Sequence, residues 1–133
     1  MPHKLKAIWA GLRDNLLVLM AVAFEKFGAE LEKQQEVIAG IADVIMETFA
    51  MESVELRSQK NSSAADICAA MLPDAMGRIE MFARPVLAAC SEGDALRANM
   101  AILRRFAKFE PVNSIALRRR IAERLLVAGR YAV

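Results

Sequence analysis

The period of the apolar residues constrains this chain more than any other feature. Between residues 30 and 60, Leu31, Ile38, Ile41, Ile45, Phe49 and Leu56 recur at intervals of three, four and seven, and Val37, Val44 and Met51 widen the stripe. An α-helix brings that spacing to one face, whereas a half-buried strand needs alternation at every second residue. Glu36, Asp43 and Glu47 fall opposite, so the segment reads as an amphipathic helix with a solvated acidic face. The same period runs through residues 4–27 on Leu5, Ile8, Leu12, Leu16, Leu19 and Ala23. Val, Ile, Thr and aromatic residues nowhere form a period-two run. The expected fold class is all-α.

Local breaks divide the rest. Gly28 is the joint between the first helix, about 4–27, and the second, about 30–60. Lys60-Asn61-Ser62-Ser63 is a turn in which Ser62 or Ser63 serves as N-cap. A third helix, about 64–91, carries Pro73 and Pro85; each removes an amide donor, so a kink is expected at one or both. Gly93 ends it and Asp94 caps a fourth helix, about 95–109. Glu110-Pro111-Val112-Asn113 breaks that one, Asn113 caps a fifth, about 114–128, and Gly129 closes it. About five helices with short loops predict an antiparallel bundle, here a single domain over residues 1–133. Ile38, Ile41, Ile45 and Phe49 are expected in its core, where Ile45→Asp would place an unpaired charge and unfold the chain.

Composition and charge narrow the function classes. Hydrophobic residues make up 56% of the chain, above the ~45–50% usual for soluble domains. The longest uncharged apolar stretch, Leu16 to Phe24, is nine residues, against the roughly 20 a membrane-spanning helix needs. The net charge of +2 hides an asymmetry: residues 1–96 hold nine Lys/Arg against fourteen Asp/Glu, and residues 97–133 hold nine against two. Either the two halves neutralise one another on packing, or the basic part faces an anionic partner. Arg118, Arg119, Arg120 and Arg124 are the candidate contacts for such an anionic surface, lipid or phosphate. The competing account is a solvated face whose cations suit the helix C-terminus. No aromatic ladder accompanies them, so nucleic acid is not an expected partner.

The residues for most chemistry are missing. His3 is the only histidine, so a di-iron site built on two Glu-x-x-His pairs is excluded, as is a Ser-His-Asp triad within the helices. Cys68 and Cys90 on one continuous helix would stand ~33 Å apart, too far for a disulfide, and two thiols without histidine make no four-ligand zinc site. No Gly-rich phosphate loop occurs. No metal, cofactor-binding or catalytic residue is expected, and the start Met-Pro-His-Lys-Leu-Lys has no apolar leader, so a cytoplasmic setting is expected.

The second helix also carries a resemblance. Gln35, Ile41-Ala42-Asp43, Phe49-Ala50-Met51 and Arg57 stand as in the C-terminal appended region of the very-long-chain acyl-CoA dehydrogenases. Ile67-Cys68-Ala69-Ala70 and Ala116 to Gly129 resemble that region's later helices. The resemblance implies a non-catalytic domain of a flavoenzyme family that oxidises long-chain acyl-CoA thioesters to 2-enoyl-CoA in fatty acid oxidation. It implies that FAD and the carboxylate base belong to a catalytic body preceding this region, so no catalytic residue carries over to any position here. The expected partner is that body, with self-association as a stand-alone bundle, or peripheral attachment to the inner membrane surface, as alternatives.

Overall fold

The helix between residues 65 and 90 is the element on which the others are built. The computed structural model describes residues 2–132, with side chains for Ile8 and residues 10–132. Among these are five α-helices: α1 (Pro2–Phe27), α2 (Gln35–Lys60), α3 (Ala65–Cys90), α4 (Gly93–Phe106) and α5 (Ser114–Ala128). No strand occurs among the described residues. Leu5 and His3, both singled out in the sequence, lie outside the described side chains.

Helix ends follow local chemistry, with some departures from expectation. The chain leaves α1 at Gly28 in the left-handed region, φ +51°, and a 3-10 turn over Gly28–Lys33 delays α2 to Gln35. Neither Ser62 nor Ser63 caps α3, whose N-cap position is Ala64 with no side-chain bond; Asn61 instead caps the 3-10 turn Ser62–Ala64 that leads into it. The Asn61 Oδ1 accepts from the Ser63 amide at 3.1 Å and from the Ser63 hydroxyl at 2.6 Å. Asp94 is not the cap of α4 but lies in its first turn, where it pairs with Arg97; Glu92 precedes the helix in extended conformation. α4 stops at Phe106, earlier than expected. Asn113 does cap α5, accepting from the Ala116 amide at 3.0 Å, and Gly129 closes it at φ +62°. Pro73 and Pro85 both lie inside α3, which continues through them to Cys90.

α3 touches every other helix, whereas α5 touches α3 alone. Its buried residues are spread accordingly: Ala75, Met76, Ile79, Ala83, Val86 and Leu87 face a core completed by Leu12, Leu19 and Ala23 of α1 and Leu103 of α4. The α2–α3 contact is the most intimate. At Gly40 a Cβ would stand 2.6 Å from Cγ2 of Val86, so the lack of a side chain sets how closely the two helices approach.

The face of α2 differs from the one expected. Its buried residues are Val37, Ile41, Val44, Met51 and Glu55. Ile38, Ile45, Phe49 and Leu56 are exposed, Ile45 at 43%, so Ile45→Asp would not bury a charge. The reason is rotational: Val37-Ile41-Val44 and Ile38-Ile45-Phe49 are both apolar stripes about 100° apart, and the direction of α1 and α3 decides which one is covered. The acidic face is correspondingly not all solvated. Glu47 accepts two bonds from Arg78 of α3, at 2.7 Å from Nε and 3.0 Å from Nη2, and this forked pair raises the Arg78 pKa above its ordinary value.

Candidate functional site

α5 places the four candidate arginines. None of its residues is buried, so polar contacts do much of the work of seating it on α3. Arg118 reaches Asp74 at 2.5 Å, Arg120 reaches Asp66 at 3.2 Å, and Arg124 meets the same Asp66 carboxylate at 2.9 Å. Arg124 also donates to the Ser63 carbonyl at 3.1 Å, tying α5 to the turn before α3. Arg119 is exposed and has no carboxylate partner among the described residues. The hydrogen bond from Arg120 foremost, with Arg124 beside it, holds the Asp66 carboxyl below its ordinary range against the opposing effect of burial.

The positive end of the chain thus meets carboxylates of α3. Asp66 and Asp74 were not singled out in the sequence, yet a signal exists. They lie two helical turns apart, and Arg124 and Arg118 match them in reverse order, as an antiparallel helix pair requires.

Nucleophile chemistry finds little support. Cys68 and Cys90 are buried and free, and burial pushes both thiols up, away from the reactive thiolate. Glu55 is a buried carboxylate on the core face of α2, with Gln59 donating to it at 3.3 Å. Asn15 of α1 is buried with its Nδ2 unpartnered, a cost inside the core, and it lines neither of two surface grooves. One groove, about 390 Å³, runs between α3 and α5 past Asp74, Arg78 and Arg118. The other, about 500 Å³, opens beside Lys26, Cys90 and Asn99. No three His, Cys, Asp or Glu side chains gather as a metal site among the described residues. Among the same residues, no helix is long and apolar enough to cross a membrane.

What the arrangement offers is surface. The model of "Acyl-CoA dehydrogenase, C-terminal domain" matches residues 12–105. The chain belongs to the acyl-CoA dehydrogenase C-terminal domain family. A "Probable acyl-CoA dehydrogenase" of Bacillus subtilis (strain 168) is 30% identical over 126 residues, which cover 88% of this chain and 21% of that protein. The crystal structure of an acyl-CoA dehydrogenase complexed with FAD from Bacillus anthracis superposes with a TM-score of 0.90 at 31% identity, covering 96% of this chain and 24% of the other. The chain therefore spans about a quarter or less of these acyl-CoA dehydrogenases.

Proposed function

We propose that this acyl-CoA dehydrogenase C-terminal domain works by docking: it seats against the catalytic body of a parent flavoenzyme and helps assemble it. The observation that carries the reading is the fit of nearly the whole chain to about a quarter of an FAD-complexed acyl-CoA dehydrogenase. The parent would carry the FAD and the carboxylate base. The residues Gln35, Ile41-Ala42-Asp43, Phe49-Ala50-Met51 and Arg57 support placing that parent in the very-long-chain branch. Attachment to an anionic membrane surface through Arg118, Arg119, Arg120 and Arg124 has less support, because Asp66 and Asp74 already answer three of these cations.

The test is the mass of the native polypeptide, by immunoblot of source cells with antibody raised to this chain. The relatives set the expectation, a band about four to five times heavier than 14.7 kDa, enriched together with yellow flavin absorbance and acyl-CoA oxidation. A single band at 14.7 kDa would overturn the intramolecular reading.

A further inference from the structure

Two stripes of large apolar side chains stand in solvent on one side of the α1–α2 hairpin. Leu17, Met20 and Phe24 of α1 and Ile38, Ile45 and Phe49 of α2 are between 41% and 69% exposed. The Arg13–Glu52 ion pair, 3.6 Å long, bridges the two helices and marks one flank of the pair. Leu17, Met20 and Phe24 follow Arg13 by four, seven and eleven residues; Phe49, Ile45 and Ile38 precede Glu52 by three, seven and fourteen. At about 100° per residue, both sets fall on the flank that the ion pair occupies. The chain reverses over Gly28–Lys33, so the stripes lie side by side.

Together they leave bare the equivalent of about three large side chains, on the order of 600 Å². That is at the top of the range for monomers, roughly 300–600 Å², and approaches the ~800 Å² per partner of a stable interface. Among the described residues, the two charges that border the flank, Arg13 and Glu52, answer one another. The complement of this face is therefore another apolar surface and not an acidic peptide or a phosphate. The outer residues of α5 make a poorer seat, because Arg119 and Glu123 interrupt Ile115, Leu126 and Val127.

Chain length argues for the occupant. In the two relatives more than three quarters of the polypeptide lies outside the matched region. A short tether holds such a remainder at an effective concentration of about millimolar, well above that of a second copy in micromolar solution. We infer that the α1–α2 flank is the face that docks on an apolar surface of the parent flavoenzyme's catalytic body. This inference rests on the docking function proposed above and names its face.

The experiment is limited proteolysis of the full-length parent polypeptide carrying Phe49→Lys or, as a control, Leu126→Lys. Loss of one central apolar anchor should speed release of a fragment of this size about tenfold, with Leu126→Lys unchanged. Circular dichroism of the 133-residue chain should show the same melting midpoint with and without Phe49→Lys, which separates undocking from unfolding. Unchanged cleavage of Phe49→Lys overturns the inference. Release by Leu126→Lys alone moves the seat to α5 and overturns the inference while docking stands. A wild-type parent that is already cleaved as fast as either variant, its terminal unit tumbling freely, removes the docking function itself. A 133-residue chain that sediments as a dimer through Phe49, in a parent indifferent to the substitution, makes a second copy the occupant and again overturns the inference.

Discussion

Gly40 shows how one atom sets a helix contact. Replacing it with Ala brings the usual gain in helix propensity, about 1 kcal/mol. Against that, the new methyl would sit 2.6 Å from Cγ2 of Val86, a buried, β-branched side chain with little rotamer freedom to withdraw. Overpacking of this kind costs about 1–3 kcal/mol, so the clash wins and Gly40→Ala should lower stability by about 1 kcal/mol in urea denaturation. Val86→Ala in the same chain should recover part of that loss. A more stable Gly40→Ala variant would mean that α2 and α3 can separate at no cost.

Neighbouring positions on α2 test the rotation of a whole element. Val44 is fully buried, so Val44→Asp forces a carboxylate into the core and should cost at least about 3 kcal/mol. Ile45→Asp leaves its carboxylate in water and should cost under about 1 kcal/mol in the 133-residue chain, read from thermal midpoints. Equal losses would restore the face the sequence suggested. The all-α class and the Asn113 and Gly129 helix ends were legible because each depends on residues within a turn or two of one another. The covered face of α2 was not, since a helix with two apolar stripes carries no record of where its neighbours lie. Asn61 was overlooked for the same kind of reason, as three polar residues in a row can each cap and only the backbone conformation chooses. The arginines were legible as a cluster, but their partners lie 44 to 58 residues away in the chain and belong to tertiary structure.

For the molecule as a whole, α5 is the weakest attachment. With no buried residue and three ion pairs to α3, its amides should exchange hydrogen fastest of the five helices, and salt should speed them further by screening those pairs. Acid should act in the same direction. The Asp66 pKa is depressed in the folded chain, so its contribution is complete above the ordinary carboxylate value near pH 4 and is lost as pH falls through the lowered one. Asp66→Asn should remove most of that acid sensitivity, while α2 and α3 exchange as before; a uniform response across all five helices would count against this account. The attachment of α5 to α3 alone also bears on how the sequence can drift. A substitution in α3 must suit all the other helices at once, whereas one in α5 must suit a single neighbour. The family match stops at residue 105, short of α5, yet the Bacillus anthracis fold covers 96% of the chain. Over evolutionary time the hub should be the conservative part, and the outlying helix should keep its place while its wording changes.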